Sequence, residues 1–240
     1  MSDADPRPAL AAVYDALWDA AAPAVRRGEA ALDPWIGRKA EDARLGVTLL
    51  ARPAPALAGR LSELQDELRA LEPAQHYQPA ADLHLTVLTP FTATVDHAPY
   101  LAHVDAYRAA VAEAVDGAPR FVVDVAGLTL SPAAVLAQGF PRDGTLEEVR
   151  GRLRAGLTAR GLGAALDRRY RLVTAHTTLV RFSAPLRDPA RFVDALAAAR
   201  RRTFGAWQVD RLELVVNNWY LSAERTRVLA QHTLGGPARG

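Results

Sequence analysis

The chain has 240 residues, half of them hydrophobic, and its 29 Lys and Arg residues against 27 Asp and Glu residues give a net charge of +2. This length supports one large domain or two small lobes with a sizeable core, and so weak a net charge excludes a strong general binder of polyanions. The absence of cysteine excludes disulfides, cysteine nucleophiles and thiolate metal sites.

The N-terminus does not have the pattern of a secretory signal. The opening MSDADPRPAL carries acids and prolines where a signal would have basic residues followed by an apolar stretch. No apolar run approaches the roughly 18 residues that a membrane-spanning helix needs. We therefore expect a soluble, cytoplasmic protein that has no membrane partner and acts as a monomer.

The hydrophobic pattern predicts helices and strands that alternate along the chain. The first are a helix over 8–30 with a break near Pro23, a turn at 33–37, a strand over 44–51, a helix over 55–71 and a strand over 83–91. A helix over 97–115, strands over 121–130 and 134–140 and a helix over 144–162 follow. The last are a strand over 170–182, a helix over 189–202 and strands over 209–217 and 227–233.

The order strand, helix, strand occurs once in each half of the chain, which indicates two similar lobes. No low-complexity linker separates the halves, so interlocked lobes are favoured over independent domains. We assign residues 1–43 to an N-terminal helical extension, residues 44–234 to one domain of two interlocked lobes, and residues 235–240 to a flexible tail.

Two short segments, HLTVL at 84–88 and HTTLV at 176–180, are near repeats of each other. Each places a histidine two positions before a threonine, inside a predicted strand of its own half. Side chains two apart on a strand share a face, so His84 shares one with Thr86, and His176 with Thr178. This face is expected to line a cleft or meet water, because burying an unpartnered imidazole is costly.

Two such strands placed side by side would bring two imidazoles and two hydroxyls to one cleft. Histidine titrates near neutral pH, so one ring can act as a general acid and the other as a general base. Hydroxyls and an imidazolium can hold the non-bridging oxygens of a phosphate. The set suits in-line attack on a phosphodiester without a metal: one histidine takes a proton from water, and the other protonates the departing ribose oxygen.

Two other hypotheses remain open. A non-catalytic module could hold an RNA end or a nucleotide in the same cleft, although binding alone does not need two groups that titrate near neutral pH. A metal hydrolase could use the histidines as ligands, but the sequence has no HExxH motif or tight His/Asp cluster. Asp82, two positions before His84, serves equally well as a hydrogen-bond partner that orients the ring.

The two motifs, half a chain apart, resemble the H-x-S/T-h signatures (h, apolar) of the 2H phosphoesterase superfamily, which includes 2′-5′ RNA ligase-like proteins and cyclic nucleotide phosphodiesterases. The resemblance covers about residues 44–234 and includes the hairpin FVVDVAGLTLSPAAVLAQGF between the motifs. It implies a bilobal, duplicated α+β fold with pseudo-twofold symmetry, in which antiparallel sheets line a central cleft and helices cover the outside. It also implies a cyclic phosphodiesterase or 2′-5′ RNA ligase-like hydrolase that needs no metal or cofactor. Its partner would be a nucleotide or RNA with a cyclic phosphate or a 2′-5′ linkage.

The resemblance also implies roles for the motif residues. His84 and His176 become the acid–base pair, with the order of the two roles left open, and Thr86 and Thr178 become phosphate-binding hydroxyls. Ala175 is a departure, because many relatives have a proline before the second histidine.

Four further residues are candidates for substrate binding. Arg181 ends the second motif as it often does in the family, but strict alternation puts it on the face opposite His176. A phosphate contact would therefore need a local bulge. Trp219, Tyr220 and Phe91 lie near predicted strand ends, where a base could stack on them.

Overall fold

A computed structural model of the chain describes residues 7–166 and 172–235. Three predicted features lie partly outside these residues: the first six residues of the N-terminal extension, the start of the strand predicted over 170–182, and residues 236–240 of the predicted tail. Within the described parts of the chain, no helix is both long enough and apolar enough to cross a membrane.

The described residues contain six α-helices and nine strands. The helices are α1 (Arg7–Arg26), α2 (Pro55–Leu71), α3 (Ala98–Leu101), α4 (Val104–Val115), α5 (Thr145–Ala159) and α6 (Pro189–Ala199). The first strands are β1 (Leu45–Ala51), β2 (His76–Tyr77), β3 (Leu85–Thr94), β4 (Phe121–Ser131) and β5 (Ala134–Pro141). The remaining strands are β6 (Thr177–Arg181), β7 (Thr203–Val209), β8 (Arg211–Asn218) and β9 (Arg227–Thr233).

The strands form two antiparallel sheets. The first sheet has the order β3-β1-β8-β9, and the second has the order β2-β6-β5-β4-β7. Of the last two strands of the chain, β8 therefore pairs with β1 from the first half and β9 pairs with β8, while β2 from the first half pairs with β6 from the second. Each sheet contains strands from both halves of the chain.

Two of the helices also pack on a different sheet from the one that contains their preceding strand. α4 and α5 pack against strands of the first sheet, whereas α1, α2 and α6 pack against strands of the second. α2 follows a strand of the first sheet but covers the second, and α5 follows a strand of the second but covers the first. This arrangement confirms the predicted bilobal α+β fold with antiparallel sheets and helices outside.

The helix α1 is amphipathic and buries one side against β4 and α6. Tyr14 and Val25 lie on the buried side, as the helical repeat requires. The break predicted at Pro23 was wrong, because the helix continues to Arg26. It ends where Gly28, at φ 81°, takes the left-handed conformation that glycine adopts without strain.

β7 is a strand that the hydrophobic pattern did not predict, and α6 ends at Ala199 rather than at 202. The burial pattern of β7 does not keep a period of two. Phe204, Trp207 and Val209 are buried, so the alternation shifts by one residue after Phe204. Gly205, at φ 119°, lies at this slip, and the pairing with β4 shifts there. A bulge of this kind breaks the period of two by which a strand is recognised.

Candidate active site

A cavity of about 750 Å³ is lined by residues of both sheets, a size usual for small-molecule sites. The strands that contribute are β1, β3 and β8 from the first sheet and β6 from the second. Six of the eight residues predicted for the site line it: His84, Thr86, His176, Thr178, Arg181 and Trp219. The structure therefore brings the two motifs to one cleft.

Each motif histidine lies just before the first residue of a strand. His84 directly precedes β3 and His176 directly precedes β6, so neither lies inside the strand as the sequence reading expected. Both imidazoles and both motif threonines are half-buried. The prediction that each histidine shares a face with its threonine agrees with the cavity lining, since all four residues reach the same space.

Each imidazole is held through its Nδ1 atom. The Nδ1–H of His84 donates to the carbonyl oxygen of Asp82 at 2.6 Å, and the Nδ1 of His176 lies 2.8 Å from the hydroxyl oxygen of Thr174. Asp82 therefore orients the ring through its backbone, while its carboxylate accepts from the N–H of Ala223 at 2.8 Å. With Nδ1 engaged, Nε2 is the ring nitrogen left for the cavity.

Both imidazoles are difficult to protonate in the free protein. Burial lowers the pKa of His84 to about 4, and the carbonyl of Asp82 only partly opposes this effect. Burial also lowers the pKa of His176 to about 4, with smaller contributions from the charges of His84, Arg150 and Arg181. Positive charge on His84 therefore disfavours positive charge on His176. Both are neutral at pH 7.

The two motif strands carry bulges at equivalent positions. In β3 the extra residue is Val87, because the residues on either side of it pair with adjacent residues of β1. In β6 the extra residue is Leu179, for the same reason in its pairing with β5. Each extra residue directly follows a motif threonine, so the repeat seen in the sequence extends to the backbone geometry.

The bulge in β6 turns Arg181 into the cavity. Without it, Arg181 would lie on the face opposite His176; with it, both side chains line the same space. The Nε–H of Arg181 is buried and has no hydrogen-bond partner among the residues that the structure describes. Leaving such a donor unmatched is costly, so this guanidinium favours an oxygen acceptor in the cavity.

Trp219 lines the cavity from the turn that follows β8. The guanidinium of Arg44 stacks on its ring at 4.5 Å and is itself paired with Asp42. The turn is held by Asn218, whose side-chain oxygen accepts from two backbone N–H groups. Leu221 closes the turn with φ 54°, a costly conformation for a leucine, next to the cavity it also lines.

The other two aromatic candidates do not line the cavity, and the prediction that they stack on a base is corrected. Tyr220 is 1% exposed, and its hydroxyl donates to Asp33 at 2.9 Å. The guanidinium of Arg181 lies over the ring of Tyr220, 5.8 Å from the centroid of that ring. Phe91 is also 1% exposed, and the more exposed Tyr100 stacks on its ring. Neither ring has a face open to a ligand.

The cavity lining includes polar residues that the sequence reading missed. Thr89 is five positions after His84, as Arg181 is five positions after His176, so the spacing of the repeat could have identified it. Thr48, Asn217 and Arg154 also line the cavity. They come from elements that carry no motif, and no sequence signal pointed to them.

Arg150 connects the two motif segments through hydrogen bonds to their backbone carbonyl groups. Its guanidinium is fully buried on α5 and donates to the carbonyl oxygens of Thr86 at 3.1 Å and Val87 at 2.8 Å on the first motif strand. It also donates to the carbonyl oxygen of Thr174 at 2.7 Å, two residues before the second histidine. A single side chain thus fixes the spacing of the two motif segments.

No protein-family model and no curated protein matches the sequence. Solved structures match the fold. TT0787 of Thermus thermophilus has a TM-score of 0.57 and 20% identity, over 80% of this chain and 98% of that one. E. coli LigT complexed with 3'-AMP has a TM-score of 0.55 and 14% identity, over 80% of this chain and 99% of that one. A further structure, named as a phosphoesterase, has a TM-score of 0.53 and 16% identity, over 80% and 98% of the two chains. The chain therefore has the fold that the sequence resemblance implies.

Proposed function

We propose that this chain, which shares its fold with LigT and with a structure named as a phosphoesterase, is a metal-independent phosphodiesterase. Its substrate is a nucleotide or RNA end that carries a 2′,3′-cyclic phosphate or a 2′-5′ linkage. His84 and His176 supply the general acid and the general base, and Thr86 and Thr178 bind the phosphate.

One observation carries the proposal: both motif histidines line a cavity that also receives the guanidinium of Arg181. The buried Nε–H of Arg181 needs an oxygen acceptor, and a phosphate provides one with charge. Two titratable rings beside an anion-binding group form the minimum set for acid–base attack on a phosphodiester.

The reaction follows from these positions. One imidazole accepts a proton through Nε2 from a water molecule, whose oxygen forms a new bond to phosphorus. The bond from phosphorus to the ribose oxygen breaks, and the other imidazole donates a proton to that oxygen. Arg181 and the two threonine hydroxyls stabilise the charge that develops on the non-bridging oxygens. The product is a phosphomonoester beside a free ribose hydroxyl.

The rest of the cavity favours a nucleotide over a small phosphate compound. Trp219 lines the cavity while Arg44 stacks on its ring, and an aromatic ring in such a place can stack on a base. The volume of about 750 Å³ is much larger than a phosphate needs. LigT, which shares the fold, has been solved with 3'-AMP and with NADP+.

The activity should depend on pH in a way that follows from the lowered pKa values. Burial disfavours the charged imidazole, so the acid histidine of the free protein loses its proton near pH 4. A bound phosphodiester anion favours the imidazolium and raises this pKa in the complex. We therefore expect kcat/KM, which reports the free protein, to fall with rising pH at a lower pH than kcat does. Stopped assays on 2′,3′-cyclic AMP from about pH 4 to about pH 9 measure how kcat/KM and kcat fall with rising pH. If both fall over the same pH range, this account is contradicted.

The proposal is tested by incubating the protein with 2′,3′-cyclic AMP and with 2′-5′-linked diadenylate in excess EDTA. We expect one of them to be hydrolysed at a rate that the chelator does not change. Tight nucleotide binding without turnover would support the non-catalytic binding module instead. Activity that EDTA abolishes and added metal restores would support the metal hydrolase.

A further inference from the structure

The residue before His176 is hydrogen-bonded to the N-terminal helix. The N–H of Ala175 donates to the hydroxyl oxygen of Tyr14 at 3.0 Å, a contact across 161 positions of sequence. Tyr14 lies on α1, in the segment that the sequence places outside the two lobes. The hydroxyl of Thr129 donates to the carbonyl oxygen of Tyr14 at 2.7 Å, which ties this turn of α1 to β4.

The Tyr14 hydroxyl is fully used. It accepts from the N–H groups of Ala175 and Gly139, the latter at 3.3 Å, and it donates to the carbonyl oxygen of Gly139 at 3.1 Å. These bonds occupy its one donor and both acceptor positions. The side chain is 0% exposed and packs edge-to-face on Phe140. Burial raises the pKa of Tyr14 to about 12, so the phenol keeps the proton that it donates.

The hydroxyl is inserted where the ladder between β5 and β6 stops. The last pair of that ladder is Ala137 with Thr177, and β6 begins at Thr177. Two further steps in the same register would place Gly139 opposite Ala175. The two backbones are indeed in contact there, because a Cβ at Gly139 would overlap the carbonyl oxygen of Ala175. Tyr14 thus bridges the pair of residues that the ladder does not join.

His176 lies between these two anchors. On its C-terminal side, the ladder holds Thr177. On its N-terminal side, Tyr14 holds Ala175, and Thr174 meets the ring itself through Nδ1. The hydroxyl of Tyr14 is therefore part of what fixes the backbone from which the imidazole projects.

We propose that Tyr14 is a positioning residue, whose hydroxyl bridges β5 to the segment before β6 and holds the imidazole of His176 in its reactive orientation. This inference rests on the proposed role of His176 in hydrolysis. It makes the N-terminal helix a supporting part of the active site, although α1 packs on the outer face of the second sheet. The helix contributes no side chain to the cavity lining among the residues that the structure describes.

The test uses Tyr14→Phe, which removes only the hydroxyl. We expect kcat on 2′,3′-cyclic AMP to fall about tenfold, with KM changed less than about twofold, because orientation is lost while the binding groups remain. Tyr107→Phe is the matched control: Tyr107 is also 0% exposed, and its hydroxyl has no partner among the described residues. This control should leave kcat unchanged.

A second variant tests the bridge from its other end. Ala175→Pro removes the N–H and puts a ring carbon in place of the amide hydrogen, too close to the Tyr14 hydroxyl oxygen that now lies 3.0 Å from this nitrogen. Because Tyr14→Phe removes that oxygen, Ala175→Pro should lower kcat less in the Tyr14→Phe background than in the parent protein. Independent, additive losses would show that the two positions do not act through one contact.

An NMR readout separates this inference from the proposed function. In Tyr14→Phe, the Ala175 amide should exchange with solvent at least about tenfold faster, and the titration of the His176 ring should move while that of His84 stays in place. If the parent protein hydrolyses none of the test substrates, the proposed function fails, and these two signals still decide the role of Tyr14. Unchanged Ala175 exchange and an unchanged His176 titration, or an unchanged kcat in an active parent, would overturn the inference.

Discussion

Replacing either His84 or His176 with alanine should lower kcat on 2′,3′-cyclic AMP by about 10²- to 10⁴-fold, the usual contribution of general acid–base catalysis. Each substitution removes an imidazole that lines the cavity but leaves Arg181 and the two threonines to bind phosphate. The KM should therefore change much less than kcat. Initial rates with purified variants, at protein concentrations high enough to detect a 10⁴-fold loss, measure the effect.

His103→Ala is the matched control, because His103 is exposed at the start of α4 and does not line the cavity. It should retain the parent rate. The double variant of His84 and His176 should lose little more than the worse single variant, since two groups that act in one step are not additive. Single variants that keep parental rates, or losses in the double variant that simply multiply, would contradict a shared role.

Replacing Arg150 with methionine should lower the free energy of unfolding by about 3 kcal/mol, because the carbonyl oxygens of Thr86, Val87 and Thr174 lose a charged donor. For a chain of this size, the loss corresponds to a fall in Tm of about 6–12 °C. The variant should also lose more than about tenfold in kcat when assayed well below its Tm, since both motif segments lose their common anchor. Thermal unfolding followed by circular dichroism, together with initial rates, measures both effects.

Arg152→Met provides the comparison on the same helix. Arg152 is exposed and pairs with Glu148 on the surface, and such a pair contributes at most about 1 kcal/mol. Its Tm should stay close to that of the parent. If the Tm of Arg150→Met equals that of Arg152→Met rather than lying well below it, the buried guanidinium does not hold the two motif segments together.

The repeated motif was readable from the sequence because it depends on local rules. Alternation along a strand paired His84 with Thr86 and His176 with Thr178, and the similar order of elements in each half placed the two pairs in equivalent settings. The cavity contains all four residues.

The position of Arg181 could not be derived from alternation, because the bulge at Leu179 depends on how β6 pairs with β5. Tyr220 and Phe91 failed as rim residues for a related reason. An aromatic residue near a strand end can face the cavity or the core. The segment around Asp33 covers Tyr220, and Tyr100 of α3 stacks on Phe91. Tertiary contacts decided all three cases.

Tyr14 and Arg150 carry no sequence signal at all. Tyr14 reads as one apolar residue in the stripe of α1, and Arg150 as one arginine among many on an amphipathic helix. The Tyr14 hydroxyl contacts backbone groups 125 to 161 positions away, and the Arg150 guanidinium contacts carbonyl oxygens 23 to 64 positions away. Such contacts become visible only in the folded chain.

A crystal structure of the protein with bound adenosine 2′-monophosphate, the kind of phosphomonoester that the reaction releases, tests the central claim most directly. We expect the phosphate between the two motifs, with its oxygens within about 3 Å of Nε2 of both His84 and His176 and with Arg181 Nε donating to it. A phosphate bound elsewhere, or one that reaches only one of the two imidazoles, would contradict a shared acid–base site.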